Sequence, residues 1–385
     1  MPYKQLTVAA SQDALVAGLD DVGDLTVVGV DVERADWDRY YRAPALIQVG
    51  GGGRVLVVDP LALDDLAPLA RFLAERQTVL HALENDLVPL AACGVEPPHV
   101  DDTALAAAVL GLPTGLGALL EELLGVTLEG DKQAMQRADW EARPLSEEML
   151  RYAAADVADL PALWQELDRR LGQRSRHSWY AEELAATLAQ PAVEHRRAWH
   201  RVKGVGSLDP PARARMHALW RVREDLARRT DTAPNRIVGD KVLVDLAASP
   251  PAGVSDLGRR GMRRQSVRQF GDQLVAALEE PAAAPLPDRR RRPTDADRAA
   301  ADRLRTLRAD IAERLGIDPG VLCPNRVLLA ALLSDPGSAE ELRAALGLRA
   351  WQWEQVGAAF CEALGLAAQG RARTDVSPRP RRNHG

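Results

Sequence analysis

Strand signals stop near residue 199, and beyond that point one helical pattern is written twice. Residues 219–229 place apolar side chains at helical spacing and residues 304–314 repeat them; Pro-Asn-Arg triplets follow at 234–236 and 324–326. A second amphipathic run follows each triplet. A strandless half with a duplicated pair of amphipathic helices can bury its apolar stripes only as two small all-α bundles, with the two triplets aligned as equivalent turns. The bundles are expected at 208–280 and 295–368. Between them, residues 281–294 are Pro-rich and then run Arg289-Arg-Arg-Arg292, the composition of a semi-extended basic linker. Residues 173–207 are read as a helical connector, and the polar, basic tail 369–385 as disordered.

The first half has the other rhythm. Residues 1–172 alternate strand and helix signals, which indicates an α/β domain. A helix is expected at 11–19 and a buried Val-rich strand at 25–33. Two strands, 45–49 and 54–59, flank Gly50 to Gly53 and read as a hairpin; no Gly-Lys-Ser/Thr opens a helix there, so the glycines are not a phosphate loop. A helix at 61–75, a strand at 77–81 and a helix starting near Asn85 follow. Further helices are expected at 102–110, 115–124 and 146–171, the last capped by Ser146.

Charge divides the chain at the same place. Residues 1–170 hold 13 Lys/Arg against 29 Asp/Glu, and residues 171–385 hold 36 against 26. An acidic body that repels polyanions unless cations neutralise it is followed by a basic region able to hold them, although an Arg-rich helical surface can also be plain solvation. At 385 residues and 46% hydrophobic content the chain can bury two or three cores. No apolar run approaches the roughly 20 residues that span a bilayer, and residues 1–5 lack the order of a secretory leader. A cytoplasmic monomer with no membrane partner is expected. Cys93, Cys323 and Cys361 are too scattered for a disulfide framework or a metal knuckle.

Five residues carry chemistry. Asp31 and Glu33 are two apart on a strand and point to one face, so both can reach the same ion. Tyr152 and Asp156 are i, i+4 on an Ala-rich helix and become neighbours. Asp86 stands where a helix starts, and taken alone it reads as a first-turn acid favourable to the helix dipole. Clustered carboxylates bind hard cations, and two of them about 4 Å apart can stabilise the attacking and leaving oxygens of a displacement at phosphorus. Mg²⁺ or Mn²⁺ suits such a set better than zinc, because none of the seven histidines shows metal-ligand spacing. His81, the one nearest the acids, reads as a structural residue at a strand end.

The order Asp31-x-Glu33, His81 through Asp86, Tyr152-x-x-x-Asp156 resembles the DEDDy group of 3′ to 5′ exonucleases, and within it the ribonuclease D family. Asp131-Lys-Gln, residues 138–145 and residues 152–157 resemble the segment before and through that family's third exonuclease motif. The duplicated bundles resemble helicase-and-RNase-D C-terminal (HRDC) domains, so the resemblance covers nearly the whole chain. It implies a ribonuclease H-like mixed sheet flanked by helices, followed by the two HRDC-like bundles. It also implies that Asp31, Glu33, Asp86 and Asp156 hold two divalent cations while Tyr152 positions the nucleophilic water. Asp159 departs from the pattern, standing where relatives commonly have an aromatic residue.

A nuclease of this kind would place the last phosphodiester of an RNA 3′ end over the cations and release nucleoside 5′-monophosphates. Precursor tRNA or other structured RNA is the expected substrate. Trp37, Tyr40 and Tyr41 are candidates for base stacking or core packing, and Lys132, Arg137 and Arg143 for backbone contacts near the site. Arg201, Lys203, Arg236 and Lys241 are the candidate phosphate contacts around the first bundle. Two other readings stay open: a DNA exonuclease in repair, since metals and phosphates do not sense the 2′-hydroxyl, and a non-catalytic RNA-binding scaffold.

Overall fold

The computed structural model describes residues 3–34, 39–41, 43–128, 132–135, 137–190, 198–279, 281–283 and 292–366. Among them, β1 (Gln5–Ala9), β2 (Val27–Arg34), β3 (Pro44–Gly51), β4 (Arg54–Val58), β5 (Gln77–Leu80) and β6 (Val100–Asp102) form one mixed sheet in the order β1-β4-β3-β2-β5-β6. The β2–β3 and β3–β4 pairs are antiparallel, and the others are parallel. The glycine run does make the hairpin: Gly51 pairs with Arg54, and Gly52 and Gly53 take φ of 59° and 80°, which a two-residue turn of this hand demands.

Around the sheet lie α1 (Gln12–Asp21), α2 (Ala67–Ala74), α3 (Leu87–Ala92), α4 (Thr103–Leu110), α5 (Leu116–Leu124), the single turn α6 (Lys132–Met135), α7 (Glu147–Ala158) and α8 (Leu160–Gln173). Three expectations need correction. The helix expected at 61–75 forms only as α2, because Asp59 and Asp65 accept the backbone N–H groups of Leu61 and Ala67 and hold 61–66 as turns. The helix expected at 146–171 begins at the Ser146 cap but breaks at Asp159, since Pro161 has no N–H to return to Val157. Edge strands β1 and β6 were not foreseen: β1 buries only Ala9, and β6 is a three-residue Val-Asp-Asp.

Helix α7 lies against β2, β3 and β4. Gly29 and Gly50 are register partners there, and a Cβ on them would come within 2.6 Å of the Val157 carbonyl oxygen and 2.8 Å of its Cγ2. The glycine pair lets the helix sit close to the sheet.

The first bundle comprises α10 (Pro210–Thr230), the single turns α11 (Pro234–Ile237) and α13 (Val254–Leu257), α12 (Asp240–Ala248) and α14 (Arg264–Ala276). The second comprises α15 (Asp295–Leu315), the single turn α16 (Pro319–Leu322), α17 (Asn325–Leu332), α18 (Ala339–Leu346) and α19 (Ala350–Leu364). Each buries one arginine of its long helix: Arg223 donates to the Val238 carbonyl and Arg308 to that of Cys323. These matches set the register of the duplication, and it corrects the alignment of the Pro-Asn-Arg triplets. Pro234 opens a single turn as Pro319 does, whereas Pro324 caps the helix equivalent to α12.

The chain divides into two compact units. One takes in the sheet domain and the first bundle; the other takes in Ala107–Pro113, Leu171–Ala185 and the second bundle. The expected connector contains α9 (His177–Leu188), whose Trp179 stacks on Trp351 at 4.4 Å. No helix among the described residues is long and apolar enough to cross a membrane.

Candidate active site

Strand β2 presents Val28, Val30 and Val32 to the core on one face, so Gly29, Asp31 and Glu33 share the other, beneath α7. Asp156 comes down from α7 to meet them. Carboxylate oxygens of Asp31, Glu33 and Asp156 all lie within 4.8 Å of one another. The same cleft, of about 1110 Å³, is also lined by Asp86 and Tyr152, so all five expected residues converge.

Asp86 does not cap α3. Its side chain makes no capping bond, is 3% exposed, and its Oδ2 has no hydrogen-bond partner among the described residues. The approach to Asp86 is built by a residue the sequence did not single out. Asp102, buried at the end of β6, accepts the N–H groups of Ala82 and Leu83 with one side of its carboxylate shared with Ala104 and Leu105. That cage holds Ala82 at φ 60° and aims the turn Leu83–Asn85 at the cleft. An Asp-Thr pair opening a helix was the available signal.

Burial raises the proton affinity of Asp31, Glu33 and Asp86. Glu33 is pushed up to about 9 by desolvation and then by the charges of Asp31 and Asp156. Asp31 is raised by burial, and Asp86 by burial and then by Asp31. Burial, followed by the Asp156 charge, lifts Tyr152 above its ordinary range, and its phenol hydrogen-bonds to Asp156. The Trp140 ring lies 6.2 Å from the Tyr152 ring, and its Nε1 donates to the Met135 carbonyl. An all-oxygen donor set, crowded and desolvated, with one buried oxygen unbonded, fits hard divalent cations and no other common cofactor. His81 lines the cleft with its Nδ1 against Thr103 Oγ1 at 2.8 Å.

The outlying candidates part company. Arg137 lines the cleft. Arg143 does not reach it as a backbone contact: its guanidinium clasps Asp59 through Nε (2.6 Å) and Nη2 (2.7 Å) and donates to the carbonyls of Ala45, Trp140 and Ala142. Tyr40 is 8% exposed and packs in the core of the first bundle with Val202, Met216 and Leu219, so it is not a stacking platform. Tyr41 is 50% exposed. Arg201, Lys203 and Lys241 are exposed and Arg236 half-buried. Trp37, the Lys132 side chain, Arg289 to Arg291 and the tail lie outside the described residues.

A sequence model of the family described as 3'-5' exonuclease matches residues 7–172, and the HRDC domain model matches 212–278 and 297–364. Ribonuclease D of Pseudomonas paraeruginosa is 35% identical over 88% of this chain and 92% of its own length, and that of Acidiphilium cryptum 33% over 98% of each. The crystal structure of Escherichia coli RNase D, described as an exoribonuclease involved in structured RNA processing, superposes with a TM-score of 0.73 at 26% identity, covering 95% of this chain and 99% of that one. Fold and site together define a 3′ to 5′ exonuclease carrying two C-terminal HRDC domains. The chain belongs to the ribonuclease D family of metal-dependent 3′ to 5′ exoribonucleases.

Proposed function

We propose that Asp31, Glu33, Asp86 and Asp156 hold two divalent cations, Mg²⁺ or Mn²⁺, at the last phosphodiester of an RNA 3′ end, and that this chain trims precursor tRNA or other stable RNA. The observation that carries the reading is the convergence of three carboxylates within 4.8 Å beside the unbonded buried oxygen of Asp86. When bound, such cations supply the positive charge that stabilises the attacking and leaving oxygens of an in-line displacement.

The protein supplies placement. A phenol raised above its ordinary range stays protonated at neutral pH, so Tyr152 is no base; steered by Asp156 and Trp140, its hydroxyl orients the attacking water. Arg137 in the cleft meets the phosphate backbone. Exposed Tyr41 offers a stacking face, and Arg201, Lys203, Arg236 and Lys241 hold the body of the RNA through its phosphates. The product is a nucleoside 5′-monophosphate. Three cysteines, all free thiols, suit a cytoplasmic monomer.

Digestion of a 3′-extended tRNA and of a matched DNA strand, with Mg²⁺ or Mn²⁺ and with EDTA, tests the reading. RNA should shorten stepwise from its 3′ end only with the cation. Asp31→Ala should be inactive, and Tyr152→Phe should fold normally but cut about a hundredfold more slowly, the lower end of what a positioned proton-handling group contributes. Faster loss of DNA, or an undiminished Tyr152→Phe, would contradict it.

A further inference from the structure

Gln48 sits in the middle of β3, its Cα paired with Asp31 on β2 and with Val57 on β4. Register partners on neighbouring antiparallel strands project from one face with Cβ atoms about 4.5–5.5 Å apart, so the Gln48 and Asp31 side chains leave the sheet side by side, within reach of one another. Gln48 is completely buried, at 0% exposure, and neither its Nε2 nor its Oε1 has a hydrogen-bond partner among the described residues. Its same-face neighbours along β3 are Leu46 and Gly50, and across β4 stands Val57; their side chains offer no polar atom. A buried amide with both ends unbonded is costly, and methionine would fill similar space without that cost. The fold carries it at the one position of β3 in register with Asp31.

We infer that Gln48 is a positioning residue for Asp31. When Asp31 takes the rotamer that ligates a cation, the Gln48 Nε2–H, unbonded until then, donates to the Asp31 carboxylate oxygen turned away from the cleft and so keeps the other oxygen aimed at Glu33 and Asp156. Carboxylates that ligate metals are commonly held by such outer hydrogen bonds, and losing one costs about 10–100-fold in metal affinity or activity. Gln48 does not line the cleft and touches no substrate. The inference rests on the cation-holding role proposed above for Asp31.

The test uses the full chain without RNA: Mn²⁺ titration calorimetry and thermal unfolding in EDTA for wild type, Gln48→Met and Gln48→Leu. Both variants should bind Mn²⁺ about tenfold more weakly, while their melting temperature in EDTA equals or exceeds that of wild type, because an unbonded amide has been removed. In RNA digestion, the Mn²⁺ concentration for half-maximal rate should rise in the same proportion. Wild-type Mn²⁺ affinity in either folded variant overturns the inference, and so does a lowered EDTA melting temperature or failure to fold in both, which makes Gln48 a packing residue. A wild-type chain that binds no Mn²⁺ removes the cation reading itself, and wild-type binding with unimpaired variants removes only the role of Gln48.

Discussion

Asp231 and Gly316 end the long first helices of the two HRDC domains at the same place in the duplicated fold, both left-handed with φ of 44° and 62°, yet only one is glycine. A non-glycine residue in that region costs on the order of 1 kcal/mol. The first domain bears it because the Asp231 carboxylate accepts the backbone N–H groups of Tyr40 and Tyr41, at 3.1 and 2.9 Å, and faces Arg39, which also pairs with Glu141. Glu141 follows Trp140, the ring beside Tyr152. Thus the segment just after Glu33 is tied to the first HRDC domain, with the Tyr40 ring in that domain's core and Arg228 above it at 5.7 Å. The second domain receives a different part of the chain at the same corner: a Cβ on Gly111 would come 1.7 Å from the Gly316 carbonyl oxygen, and Arg176 donates to the carbonyls of Val109 and Leu315. One fold, used twice, is completed by a hydrogen-bonding acid in one copy and by close backbone contact clasped by an arginine in the other.

Breaking either corner should have the largest effects. Tyr40→Ala empties a core position and should cost about 3 kcal/mol, read as an earlier midpoint in urea. Gly111→Ala meets both a main-chain collision and an unfavourable φ of 72°, and should cost at least 2 kcal/mol, on the order of other backbone-strain defects. Unfolding curves like those of wild type would mean that neither domain needs its borrowed segment.

The corner residues sharpen the contrast at smaller scale. Asp231→Ala keeps the strained backbone and removes the acceptor of two N–H groups, so it should destabilise by about 2 kcal/mol. Because Arg39, which faces Asp231, also pairs with Glu141 next to the cleft-lining Trp140, RNA turnover should fall as well. Gly316→Ala meets no atom within 4 Å and pays for backbone conformation alone, about 1 kcal/mol, with turnover unchanged. Equal effects of the two on turnover would erase the distinction.

How much of this was legible depended on distance along the chain. Asp31 with Glu33 and Tyr152 with Asp156 could be placed because periods of two and of 3.6 fix which side chains share a face. Asp86 needed the motif order, since a helix-start acid alone points to capping. The Asp102 cage was hidden in an edge strand without apolar alternation. Arg143 looked like a free cation because its partner Asp59 is 84 residues away, and Tyr40 looked like a stacking ring because the core that buries it, with Val202, Met216 and Leu219, lies in a distant part of the chain, as does Asp231, 191 residues on, which accepts its backbone N–H. The duplication was visible, but its register was not: the identical Pro-Asn-Arg letters drew the alignment away from the equivalence that Arg223 and Arg308 reveal.

The smallest predicted effect separates the two domains by charge. Residues 212–278 hold 13 Lys/Arg against 7 Asp/Glu, whereas residues 297–364 hold 8 against 10. Polyanion binding scales with the cations that displace counterions, so the first domain should do the gripping. Lys241 and Arg326 occupy the same position, second in helices α12 and α17, and both are exposed. Lys241→Glu should weaken binding of a long RNA a few-fold and lower the slope of log affinity against log salt by about 1, since one phosphate contact is lost. Arg326→Glu should change neither. Stability should stay within about 0.5 kcal/mol in both, as for other exposed substitutions, so a difference in RNA binding would report contact rather than folding. Should Arg326→Glu show the larger salt effect, the second domain, despite its acidic balance, would be the one that holds the RNA.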